Sequence, residues 1–127
     1  MSGDKKILVT GGAGFIGTNL VNELRSRRYE VVACDLLNHE LQDYIRCDVR
    51  NYRQIESVFN TFGPFDYVYH LAAEYGRWNG EDHYENLWET NVIGTKHFFK
   101  NAGEIKVQIS FYKKYVFSFH KKRDFLL

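Results

Sequence analysis

Hydrophobic positions along the chain follow two alternating rhythms. The run KKILVT (5–10) is almost continuously apolar toward its end, as a strand covered on both faces is, and glycines terminate it. From Phe15 onward, Phe15, Ile16, Leu20, Val21 and Leu24 fall at helical spacing. RSRRYE then brings positive charge to the end of that helix, where the helix dipole is negative. EVVACD (30–35) predicts a second strand, LLNHELQD a connector, and YIRCDV (44–49) a third strand. NYRQIESVFNTF (51–62) returns to helical spacing with Ile55, Val58, Phe59 and Phe62 on one face. Asn51 is its expected N-cap and Gly63-Pro64 its stop. FDYVYHLAA (65–73) predicts a fourth strand, and after a polar loop YENLWETNVIGTKHFFK (84–100) predicts a long helix. Such alternation predicts an α/β fold: a doubly wound parallel sheet of about four to five strands with flanking helices and right-handed crossovers.

Composition narrows this picture. The 127 residues make one domain with a modest core, and 44% hydrophobic with 17% aromatic content excludes a disordered chain. No apolar run approaches the roughly 18 residues of a membrane span, and MSGDKK lacks the apolar centre of a signal peptide. A cytoplasmic protein is the expectation. Cys34 and Cys47 have no metal-ligand spacing and read as small buried residues in a reducing compartment. His39, His70, His83, His97 and His120 show no His-x-x-x-His or His/Cys pairing, so no metal site is predicted. Glu81, Asp82, Glu85 and Glu89 cluster at the start of the last helix and read as dipole partners rather than as a catalytic pair. No Gly-x-Ser-x-Gly elbow is present.

The glycines carry the chemistry. In TGGAGFIG (10–17), Gly12, Gly14 and Gly17 satisfy G-x-G-x-x-G, while Gly11, Gly14 and Gly17 satisfy G-x-x-G-x-x-G. A strand that ends in such a loop and opens a helix presents unpaired helical N–H groups to a diphosphate, with no side chain in the way. No Lys-Ser/Thr pair follows, which disfavours a P-loop. Asp35, 24 residues beyond Gly11, ends the second strand. A carboxylate there accepts hydrogen bonds from both ribose hydroxyls and repels a 2′-phosphate, which predicts NAD rather than NADP on a Rossmann-type sheet. The plainer alternative is a glycine turn beside an ordinary solvated Asp.

Together these residues resemble the extended short-chain dehydrogenase/reductase family, the NAD-dependent epimerase/dehydratase group, over roughly residues 5–100. TGGAGFIG is similar to that family's cofactor signature, which implies cofactor-binding roles for Gly11, Gly14, Phe15, Ile16 and Gly17. CDVRN resembles the segment after the third strand, implying that Asp48 contacts adenine with Val49 beside it. YHLAA (69–73) resembles the fourth-strand motif, placing Leu71, Ala72 and Ala73 against the dinucleotide. TNVIGT (90–95) is similar to the next helix, with Asn91 as a buried polar residue bracing the sheet. The resemblance implies nucleotide-sugar substrates: a sugar hydroxyl is oxidised by NAD, the keto intermediate is altered, and the hydride is commonly returned. LAAE with Glu74 is more like the dTDP-glucose 4,6-dehydratases than the 4-epimerases. Tyr75, Arg77 and Trp78 would then lie near the sugar, the alternative being a surface loop whose Trp packs locally.

The family's catalytic base is a tyrosine four residues before a lysine. None of the nine tyrosines has lysine at that spacing, so no catalytic residue is assigned. KVQIS (106–110) and YVFSF (115–119) could each serve as a fifth strand, and Ser110 or Ser118 as the family's serine. Residues 1–100 carry 11 Lys+Arg against 14 Asp+Glu, whereas 101–127 carry 6 against 2. The expectation is therefore a partial NAD-binding domain over 1–100 and a divergent basic, aromatic tail over 101–127, without a substrate domain. Loss of resemblance in mid-helix suggests a change of reading frame near Asn101; a naturally short protein is the competing view. Two functions follow: the NAD-binding portion of a nucleotide-sugar epimerase/dehydratase, inactive by itself, or a non-catalytic dinucleotide-binding module or relic. The tail's charges form no clear face, so neither nucleic acid nor membrane is an expected partner. An open sheet edge predicts an aggregation-prone or homo-oligomeric product.

Overall fold

Strand β1 (Lys6–Thr10) is central, and burial on both faces accounts for its apolar run: Ile7, Leu8 and Val9 are at most 2% exposed. The computed structural model describes residues 5–40, 42–74, 84–102, 106–111 and 115–119, the last two segments as backbone. α1 (Phe15–Ser26) leads to β2 (Glu30–Asp35) and β3 (Tyr44–Arg46), and α2 (Tyr52–Phe62) to β4 (Tyr67–His70). α3 (Tyr84–Trp88) passes through a π-helical stretch, Glu89–Ile93, into α4 (Gly94–Ala102), followed by β5 (Lys106–Phe111) and β6 (Tyr115–Phe119).

The sheet order is β3-β2-β1-β4-β5-β6. The first five strands run parallel and β6 joins β5 antiparallel. Both tail segments are thus strands: 106–111 takes the fifth parallel position and 115–119 adds a sixth, one more than the four to five expected. Chain direction across the sheet reverses at β1, so β1 and β4 flank a crevice at their C-terminal ends, the usual ligand position in doubly wound sheets.

Strand alternation separates two cores. Ile7, Val9, Val31 and Ala33 meet Val21 and Leu24 of α1. Leu8, Val32, Cys34 and Val68 point the other way, against Ile55 and Val58 of α2 and Phe98 and Ala102 of α4. The Asn51 side chain caps α2 as expected, accepting from the N–H groups of Arg53 and Gln54. Gly63 ends α2 with its N–H on the Phe59 carbonyl, 3.0 Å away. Two strands are shorter than their apolar runs: β3 stops at Arg46 rather than 49 and β4 at His70 rather than 73. Cys47 and Leu71 each still donate one backbone bond to the neighbouring strand, at Asp35 and Thr10, and Cys47, Val49, Leu71, Ala72 and Ala73 line the crevice.

Candidate functional site: a cleft at the C-terminal ends of β1, β2 and β4

Two glycines are required where the chain passes from β1 into α1. Gly11 sits at φ 67°, and a Cβ there would lie 2.8 Å from the Ala72 nitrogen. A Cβ on Gly17 would overlap the Gly11 carbonyl oxygen, so this glycine lets α1 begin directly against the loop. Gly14 is the N-cap of α1, with no side-chain cap bond and no acidic residue in the first turn. In contrast to α2, the N-terminus of α1 therefore keeps its first amides and its positive dipole end for an outside anion. Phe15 and Ile16, both exposed, flank that end.

Asp35 closes the loop from the side. Its Oδ2 accepts the Ala13 N–H at 3.1 Å and its Oδ1 the Leu36 N–H at 2.7 Å. Asp48 lies beyond the end of β3, with its own N–H on Gln54 Oε1 at 2.7 Å. Arg50 grips the Asp48 carboxylate through Nη2 at 2.7 Å and Nε at 3.0 Å, and reaches Asn86 Oδ1 on α3 at 2.7 Å. That guanidinium, aided by the Arg50 N–H, holds the Asp48 carboxyl below the usual range against the opposing effect of burial. Cys34 and Cys47, each immediately before one of these acids, are buried free thiols. The Cys47 side chain and then burial push the Cys34 thiol well up.

The opposite wall is the shoulder Leu71–Glu74. Thr10 Oγ1 accepts the N–H groups of Leu71 and Ala72, both at 3.1 Å. Asn91 takes both backbone groups of Glu74: Oδ1 accepts its N–H at 2.8 Å and Nδ2 donates to its carbonyl at 2.9 Å. Asn91 thus braces this shoulder. His70 is 2% exposed, and burial pushes its imidazole down to about 4. Its ring lies between Thr10 Oγ1, 2.6 Å from Nδ1, and Thr95 Oγ1, 3.0 Å from Nε2.

These walls enclose a cleft of about 200 Å³ that brings together Gly11, Gly14, Asp35, Asp48, Val49, Leu71, Ala72 and Ala73. Gly17 is buried behind the loop; Phe15 and Ile16 stand at the helix start and do not line the cleft. Cys34, Leu36, Cys47, Glu74 and Thr90 also line it, residues that carry no cofactor signature of their own in the sequence. Tyr75, Arg77 and Trp78 lie outside the described residues, as do the side chains of Ser110 and Ser118. A larger groove of about 620 Å³ lies between α1 and Ile7, Tyr67 and Tyr69 and shares no lining residue with the cleft. Among the described residues no helix is long and apolar enough to cross a membrane.

Residues 7–118 match the model of the NAD dependent epimerase/dehydratase family, a segment that runs past Asn101. A probable dTDP-glucose 4,6-dehydratase of Sinorhizobium fredii is 36% identical over 125 residues, covering 88% of this chain and 35% of its own. A 2-alkyl-3-oxoalkanoate reductase of Stenotrophomonas maltophilia is 37% identical over 95 residues, 71% of this chain and 27% of its own. Among solved structures, the UDP-glucose 4-epimerase of Thermus thermophilus in complex with NAD superposes with TM-score 0.67 at 30% identity, covering 76% of this chain and 33% of that one. The chain thus spans about a third of the length of these relatives.

Proposed function

The chain belongs to the NAD dependent epimerase/dehydratase family, and from that premise we propose that it forms the NAD-binding portion of a nucleotide-sugar epimerase or dehydratase. The observation that carries this reading is the uncapped N-terminus of α1, opening on a cleft whose flank is the Asp35 carboxylate. Each wall has a task. The first-turn amides of α1 hold the diphosphate, Asp35 accepts the adenosine ribose hydroxyls, and Asp48 with Val49 borders the adenine. Leu71, Ala72 and Ala73 offer backbone and small apolar surface along the dinucleotide. Bound there, NAD supplies the hydride acceptor for oxidation of a sugar hydroxyl.

A nucleotide sugar is favoured as substrate by the dehydratase relative and by Glu74, placed beside the cleft by Asn91. The reductase relative matches over 71% of this chain and 27% of its own, which suits a shared cofactor portion joined to differing substrate portions. No tyrosine of the 127 residues precedes a lysine by four, so these residues alone bind the dinucleotide without turning a sugar over. This is also where the second reading, a dinucleotide-binding module without chemistry, finds its support.

Calorimetric titration tests the proposal. NAD should bind, NADP should bind at least tenfold more weakly, and Asp35→Ala should erase most of that difference. Equal binding of both dinucleotides by the unaltered chain, or no heat with NAD, would contradict it. Incubation with a nucleoside-diphosphate sugar and NAD should yield no NADH and no altered sugar; turnover would overturn the non-catalytic part of the reading.

A further inference from the structure

A closed hydrogen-bond circuit runs behind the shoulder, and its direction can be read from donor counts. Thr10 Oγ1 accepts two backbone N–H groups, from Leu71 and Ala72, which uses both of its lone pairs. Its single proton must therefore leave toward the remaining partner, His70 Nδ1, 2.6 Å away. That nitrogen is consequently bare, and the ring proton sits on Nε2, from which it donates to Thr95 Oγ1 at 3.0 Å. Thr95 passes its own proton to the Asn91 carbonyl at 2.6 Å. Asn91 completes the circuit by binding both backbone groups of Glu74. The reverse tautomer would set two protons against each other across 2.6 Å, and a charged ring would do the same.

We propose that His70 is a positioning residue for the dinucleotide: fixed as the Nε2–H tautomer between Thr10 and Thr95, it sets the polarity of the circuit that holds Leu71–Glu74 as a cleft wall. Thr10 can serve two N–H groups only while its proton has an acceptor on the far side. Without that acceptor the hydroxyl turns; the Leu71 N–H keeps the Thr10 carbonyl at 3.2 Å, but the Ala72 N–H loses the Thr10 hydroxyl, and the wall beside Gly11 loosens. Gly11 leaves no slack, because it packs directly on the Leu71–Ala72 peptide. Glu74 is held from the other end by the same circuit. His70 never meets the cofactor; it acts through Thr10. The inference rests on the cofactor reading above for its effect on affinity, though not for the wiring itself.

Two measurements test it. Long-range ¹H–¹⁵N correlation spectra of the histidine-labelled chain, with His70 assigned by its loss in His70→Asn, should show Nε2 protonated and Nδ1 bare at neutral pH. The opposite tautomer or a doubly protonated ring would overturn the proposal. In NAD titrations, His70→Asn keeps an acceptor oxygen near the Nδ1 position and should stay within about threefold of the unaltered chain, whereas His70→Leu should lose about tenfold. His70→Gln, which reaches Thr95 but offers nothing to Thr10, should resemble His70→Leu. Should His70→Leu fail to fold, the contrast between Asn and Gln decides, folding of both being checked by near-ultraviolet circular dichroism. Equal NAD affinity in Asn and Gln variants, with the unaltered chain binding NAD, overturns the positioning role alone. An unaltered chain that ignores NAD overturns the cofactor reading and the role together, and the tautomer spectrum still separates the two failures.

Discussion

Asp48 and His70 bring opposite chemistry to the same acid dependence. Asp48 is held ionised by Arg50, its folded pKa below the unfolded value, so its contribution is lost as pH falls through the carboxylate range. His70 is held neutral, with a folded pKa of about 4 against an unfolded value near 6.5. Below about pH 6.5 the unfolded chain takes up a proton that the folded chain refuses, so stability falls until about pH 4 and then levels off for this group. The span corresponds to about 3 kcal/mol, and chemical denaturation between pH 7 and 4 should show most of it in the unaltered chain. In His70→Asn that slope should flatten between pH 6.5 and 5; an unchanged slope would refute the assignment. Arg50 is partly exposed, so its loss in Arg50→Gln should cost about 1 kcal/mol of stability or less. It should weaken NAD more than it weakens the fold, because Asp48 is then free to turn from the cleft.

Helix ends divide the molecule's labour. α2 satisfies its first amides internally through Asn51, so Asn51→Ala should lower stability by about 1 kcal/mol in denaturant titration and leave NAD affinity unchanged. α1 leaves its end unsatisfied, and Gly14 adopts an ordinary extended backbone, although a Cβ there would lie 3.3 Å from the Gly11 carbonyl oxygen, which must give slightly. Gly14→Asp should cap α1 from within, offset much of that crowding so that the fold survives, and abolish NAD binding by placing a carboxylate where the diphosphate belongs. Preserved affinity in that variant would show that α1 is not the anion site. Element types were legible because periodicity reports burial, and Phe15 and Asn51 marked helix starts correctly. The ends of β3 and β4 were not, because Val49, Leu71 and Ala72 pack on the cores, and with Ala73 line the cleft, from beyond the strand ends, so burial continues where the strand does not. Nor was the π-helical stretch Glu89–Ile93, which has no period of its own in a short window. Gly94 at its end packs so closely on Val49 that a Cβ would lie 2.8 Å from Val49 Cγ2, a contact between distant segments that no local pattern announces.

Across the whole molecule, alternation and crossover hand made the parallel sheet legible, whereas the reversal at β1 and the antiparallel pairing of β6 depend on long-range packing that the residues alone left open. The cleft was legible in its glycines and two acids because backbone approach and charge select residue types strongly. Its supports were not: Thr10, His70 and Thr95 work by hydrogen-bond direction, and a histidine in an apolar strand carries no sign of its partners. The claim on which everything turns is that a dinucleotide diphosphate rests on the first turn of α1. Amide ¹H–¹⁵N spectra recorded during NAD titration examine this site residue by residue. The largest shifts should fall on Gly14, Phe15, Ile16 and Gly17, with smaller ones at Ala72 and Ala73. Undisturbed glycine-loop amides, or shifts centred instead on Ile7, Leu20 and Tyr67 in the groove beside α1, would contradict the account.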